Sequence, residues 1–244
     1  DPSDRLSWPT ANGRGASQRR FALFRGFSLA GRKHVSLEGI ASTDTIDLFG
    51  AEACAVMRCR IQAPWGIVSG WSEGFATWMP HLKDRLPAPP DMTRFVSRGH
   101  PRAEIPPHSV DCLISDNVVL GLNTWDPTSL HADGKNLGEG IEISGPGNVI
   151  CYNRVVGFRD CISLMEGPKA VDQTSIDIYN NDIDSGADDG IEADYAGPNC
   201  RILRNRITNC MRGLALAPVL GGPVYVVRNE FFNTAHVWQF GRAG

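Results

Sequence analysis

The second half of the chain repeats itself, and that repeat limits what it can fold into more than any other feature. Four stretches read as a short alternating strand, an Asn, and an apolar residue two positions later: Asn148–Val155, Ile176–Ile183, Cys200–Ile207 and Val224–Phe231. Their Asn residues are Asn153, Asn181, Asn205 and Asn229. Cys112–Val119 fits the same template with Asn117, and Cys54–Ile61 fits with Cys59 in the Asn position. Successive Asn residues lie 36, 28, 24 and 24 positions apart. A second strand follows in each repeat, opening on Trp65-Gly66-Ile67, Glu139-Gly140-Ile141, Asp160-Cys161-Ile162, Asp189-Gly190-Ile191 and Arg212-Gly213-Leu214, with His236-Val237 in the last. A unit of two or three short strands cannot bury its own apolar face, but stacked units can. The expected fold is therefore all-β: a right-handed parallel β-helix, a solenoid with loop insertions.

The residue columns agree with stacking. Three positions before the Asn stand Val56, Ile114, Ile150, Ile178, Ile202 and Val226; two positions after it stand Ile61, Val119, Val155, Ile183, Ile207 and Phe231. Both columns are wholly apolar, as inward-facing stacks require. The Asn column is expected to form a ladder of stacked amides between coils. Cys54, Cys112 and Cys200 share one inward column and read as small buried hydrophobes. The total of seven cysteines is odd and shows no Cys-x-x-Cys, so it points to no zinc site.

Composition excludes other classes. The chain has 244 residues, 42% hydrophobic and 21% charged, which suffices for a buried core. A net charge of −3 gives no footprint for nucleic acid. No run of about 18 apolar residues offers a membrane span. Gly (26) and Pro (16) favour short elements joined by turns. Residues 1–20 read as an arm or the remnant of a preceding coil, and 21–244 as one β-helix domain. Two insertions interrupt it, at about 69–109 and 122–138. The start at Asp1, without a leader pattern, is expected of a mature form or a piece of a longer chain or oligomer.

Both insertions border the sheet that opens on Gly-Ile, so they are expected to wall a groove over it. The outward and entry positions of that sheet carry Glu139, Glu142, Asp160, Asp188, Asp189, Glu192 and Asp194, bordered by Arg159 and Arg212. Asp160 and Asp189 are expected one coil apart, at ~5 Å between backbones. Carboxylates crowded in this way share protons as acid/base pairs, hold Ca²⁺ with several oxygens, or form a solvated acidic face. Trp71, Trp78 and Trp125 lie in the insertions, where they stack on sugar rings or pin the loops down. His131 and His100 in the same loops are candidates for proton transfer or plain polar surface.

These repeats, from about residue 35 to 237, resemble the right-handed β-helix superfamily that includes pectate lyases and polygalacturonase-type glycoside hydrolases. Arg159-Asp160-Cys161-Ile162 is similar to the Asp-Asp-Cys-Ile motif of polygalacturonases, with Arg in place of the first Asp. Ala187-Asp188-Asp189-Gly190-Ile191 is similar to their Asn-Thr-Asp-Gly motif, in reversed chain order. No Gly-His-Gly or Arg-Ile-Lys motif follows. The resemblance implies a polysaccharide lyase or glycoside hydrolase with an extracellular or periplasmic setting. The alternative is a non-catalytic glycan-binding or structural module of a larger protein. The expected catalytic set is Asp160, Asp189, Glu192, Arg212 and His131. Glu142, Arg159, Trp71, Trp78 and Trp125 would bind the polysaccharide, and Glu142, Glu192 and Asp194 would hold Ca²⁺.

Overall fold

The computed structural model describes residues 22–69, 109–123, 130, 138–164, 173–219 and 221–241. The chain winds in coils of up to three short strands. They are β1 (Ala22–Phe24) and β2 (Phe27–Ser28); β3 (Ser36–Glu38), β4 (Ile40–Ser42) and β5 (Ile46–Asp47); β6 (Ala55–Met57), β7 (Arg60–Gln62) and β8 (Ile67–Val68); β9 (Leu113–Ser115), β10 (Val118–Leu120) and β11 (Glu139–Ile143). The coils continue as β12 (Val149–Cys151), β13 (Arg154–Val156) and β14 (Asp160–Leu164); β15 (Asp177–Tyr179), β16 (Asp182–Asp184) and β17 (Asp189–Glu192); β18 (Arg201–Leu203), β19 (Arg206–Thr208) and β20 (Arg212–Leu216); β21 (Tyr225–Val227), β22 (Glu230–Phe232) and β23 (His236–Phe240). Every third strand pairs in parallel with its counterpart in the next coil. This gives two eight-stranded sheets, headed by β1 and β2, and one seven-stranded sheet running from β3 to β21. The architecture is a right-handed parallel β-helix. Among the described residues no helix is long and apolar enough to cross a membrane.

The two apolar columns face inward as expected. Val56, Ile114, Ile150, Ile178 and Ile202 are buried along one wall, and Ile61, Val119, Val155, Ile183 and Ile207 along the next. Register pairs them rung on rung, as in Ile150 with Ile178 and Ile183 with Ile207. Burying one such Ile is worth ~1.5–3 kcal/mol over leaving it in water, so a coil gains most of its stability only when another coil covers it. At the last coil the stack opens: Phe231 is half-buried, while Trp238 and Phe240, in register with Leu214 and Leu216, are exposed.

The amide ladder is continuous. The Oδ1 of Asn153 accepts from the backbone N–H of Asn117 at 3.0 Å and from its Nδ2 at 2.9 Å. The pattern recurs from Asn153 to Asn181, Asn181 to Asn205 and Asn205 to Asn229. Each Nδ2 also donates to a carbonyl of the preceding coil, at Val56, Ile114, Ile150, Ile178 and Ile202. Cys59 joins through its backbone N–H, which donates to Asn117 Oδ1, and its thiol donates to the Leu37 carbonyl of the preceding coil at 3.7 Å. The residue just before each ladder position turns the corner with left-handed backbone: Arg58, Asp116, Tyr152, Asn180, Arg204 and Arg228 have φ between 53° and 58°. Non-Gly residues rarely adopt this conformation, and here the clamped amide that follows over-determines it.

All seven cysteines are free and buried. Burial pushes the Cys112 thiol up to about 11, which suits the reading of the cysteines as core filler.

Candidate functional site

The acids lie on the sheet from β2 to β23, and a column of glycines decides how they converge. A Cβ on Gly140 would stand 2.5 Å from Val155 Cγ1, inside the core, and 2.3 Å from the Cys161 carbonyl. A Cβ on Gly190 would stand 2.4 Å from Ile207 Cγ2. These glycines therefore face inward, and so do the buried Ile141 and Ile191 that follow them. Two consecutive inward residues break the alternation of the strand. The positions on either side, Glu139 and Glu142 in one coil and Asp189 and Glu192 two coils on, are thereby both turned to the outer face.

Register then stacks them. Glu139 pairs with Asp160, and Glu142 with Ser163; Ser163 pairs with Glu192; Asp189 pairs with Arg212. The Asp189 N–H donates to Asp160 Oδ1 at 2.8 Å, so these two carboxyls sit on adjacent coils. One carboxylate oxygen from each of Asp160, Asp188 and Asp189 falls within 4.8 Å of the others, and the same holds for Glu139, Asp160 and Glu192.

The acids are buried rather than solvated, which removes the reading of a wet acidic face. Asp160 is 0% exposed, and even Glu192, the most open, is 9%. Burial penalises charge unless a partner offsets it. Arg159 reaches three of these acids: Nε lies 3.5 Å from Asp160 Oδ2, Nη1 3.8 Å from Glu139 Oε1, and Nη2 3.8 Å from Asp188 Oδ2. Arg212 pairs closely with Asp188 and stands 4.0 Å from Asp189 Oδ1. Burial, and next the charge of Asp160, push the Glu139 carboxyl well above the ordinary range, against a smaller pull from Arg159. Burial, then the charges of Asp160 and Asp188, do the same to Asp189, against Arg212. Desolvation works against the Arg159 charge, but the acids led by Asp160 and Glu139 outweigh it and tighten the guanidinium's hold on its proton.

Of the residues expected from sequence, the fold gathers Asp160, Asp189, Glu192, Arg159 and Arg212. Glu142 is buried on the same face beside Ser163, and Asp194 accepts from the Ala217 N–H. Among the described residues, the close carboxylate groups take in Glu192 of the expected Ca²⁺ set but neither Glu142 nor Asp194. Trp71, Trp78, Trp125, His131 and His100 lie outside the described residues. Glu139 and Asp188 had counted only as members of an acidic surface; the structure puts both against Arg159. The signal in the sequence was the register of Glu139 with Asp160, from Glu139-Gly140-Ile141 to Asp160-Cys161-Ile162.

A family model described as a right-handed β-helix region matches residues 108–243, more than half of the chain. The chain belongs to the right-handed β-helix family. The match covers β9 to β23 and with them every acid and both arginines of the site. Neither the curated proteins nor the solved structures gave a match. Polysaccharide-acting enzymes are found among β-helix folds, and the β-helix here presents its acids on one face of one sheet.

Proposed function

We propose that this β-helix protein is a polysaccharide-cleaving enzyme of the glycoside-hydrolase type, working over the sheet from β2 to β23. The observation that carries the reading is the pairing of Asp189 with Asp160. Two carboxyls on adjacent coils have oxygens within 4.8 Å, and burial with the Asp160 charge pushes the Asp189 carboxyl well above the ordinary carboxylate range, which favours its protonated form. Such a pair has the division of labour that glycosidic cleavage needs, one acid protonated and one ionised. Asp189 gives its proton to the leaving oxygen. Asp160 or Glu192 supplies the carboxylate that attacks the anomeric carbon or takes a proton from water. Arg212, tied to Asp188, sets the local charge; a guanidinium does not serve as a base at neutral pH. A polymeric glycan substrate goes with an extracellular or periplasmic place of work.

The test uses the whole chain and a panel of neutral, acidic and amino-sugar polysaccharides. New reducing ends on at least one polymer are expected. D189N should lower that rate by about 10²–10⁴, the usual worth of a positioned proton donor, with its melting temperature retained. Unsaturated-uronate absorbance would make the enzyme a lyase instead. Binding of a polymer with no new ends, or a D189N rate equal to wild type, would leave a non-catalytic module.

A further inference from the structure

Three coils contribute one acid each to the surroundings of a single cationic side chain. Glu139, Asp160 and Asp188 come from consecutive turns of the β-helix, and the Arg159 guanidinium lies between them. It presents a different nitrogen to each, at 3.8, 3.5 and 3.8 Å. The Arg159 side chain is 9% exposed, and those of the three acids 6%, 0% and 3%. Backbone bonds fix its place: Arg159 N–H donates to the Gly138 carbonyl, and Asp188 N–H to the Arg159 carbonyl. Acids converging in this way are what a hard divalent cation collects. A planar guanidinium with five N–H donors can face several carboxylates at once, which the point charge of a lysine cannot.

We propose that Arg159 is the resident cation of this cluster, holding Glu139, Asp160 and Asp188 in register as a bound divalent ion would, so that the site needs no metal. A second guanidinium supports it: Arg212 pairs with Asp188 from the following coil. Burial and the Asp160 charge raise the Glu139 and Asp189 carboxyls well above the ordinary range, which lessens the negative charge that the two guanidiniums face. This goes beyond the polysaccharide reading and stands whether or not the site turns over a glycan.

Thermal melting of the purified full chain tests it, with chelator and then with millimolar CaCl₂ or MgCl₂. Wild type should melt at the same temperature in all three conditions. R159Q should melt about 10 °C lower, since it leaves buried acids without their partner. Ca²⁺ should recover much of that loss, because Glu139, Asp160 and Glu192, and likewise Asp160, Asp188 and Asp189, bring carboxylate oxygens within 4.8 Å of one another beside the vacated place. R159K keeps one charge without the fork; it should fold, melt between the two, and gain nothing from Ca²⁺. If R159Q does not fold, wild type and R159K carry the test. A Ca²⁺-dependent rise in wild-type melting that E139Q abolishes would overturn the proposal. So would an R159Q or R159K protein that melts with wild type, or an R159Q loss that no divalent cation restores.

Discussion

Asn153→Ala is the sharpest test of the scaffold on which the site depends. The Asn153 side chain makes four hydrogen bonds at full burial: it accepts from Asn117 N and Nδ2 at 3.0 and 2.9 Å, and donates to Ile114 O and Asn181 Oδ1 at 2.9 and 3.0 Å. At a net ~1 kcal/mol each these amount to ~4 kcal/mol. The Asn117 N–H is also left buried without its acceptor, which adds ~1–3 kcal/mol and brings the expected loss to about 5–7 kcal/mol. That is comparable with the whole stability of many domains, about 5–15 kcal/mol. Asn229→Ala is the matched control. It removes the same kind of bonds to Asn205 and Ile202, but at the half-buried end of the ladder, where water replaces them. Its expected loss is ~1–2 kcal/mol. Urea unfolding followed by circular dichroism gives both numbers, with similar m-values expected. Losses within about 1 kcal/mol of each other would show that the ladder does not carry the stability assigned to it here.

Two further outcomes concern the site. Gly190→Ala should destabilise by ~1–3 kcal/mol, because its Cβ would fall 2.4 Å from Ile207 Cγ2 and 2.9 Å from the Gly213 carbonyl; relief by moving the strand would separate Asp189 from Asp160 and lower any glycan-cleaving rate more than the stability loss explains. Glu139→Gln should flatten the pH dependence of stability. Glu139 has a raised value in the folded state, so its contribution is complete below the unfolded value, about pH 4, and is lost as pH rises through the folded one. Wild type should therefore fall relative to E139Q in urea midpoints as pH is raised from about 4 toward the alkaline limit of folding. A constant difference across that range would refute the shift.

The scaffold was legible because its signal is local and periodic. Ile150, Ile178 and Ile202 recur at a fixed offset from Asn153, Asn181 and Asn205, and an offset within one repeat survives insertions between repeats. The same offsets placed Asp160, Asp189 and Arg212 on one face. The depth of the site was not legible. Strict alternation does not distinguish an outward acid in water from one that is covered, and it does not show that Gly140 and Ile141 both turn inward. Glu139 and Asp188 are 49 positions apart, and no local pattern joins either of them to Arg159. The expected Ca²⁺ set followed one strand, Glu192 to Asp194, with Glu142 beside it, whereas the close groups run across coils, from Glu139 to Asp160 to Glu192.

The order of residues alone thus determined that coils form, which side chains fill them and where the amides stack, since period and polarity are properties of neighbours in the chain. Only the tertiary structure decided that the acids are dry, that burial and the Asp160 charge raise the Glu139 and Asp189 carboxyls, and that a guanidinium sits among them. Burial and electrostatic coupling depend on distance in space, and here that distance is set by coils laid one upon another.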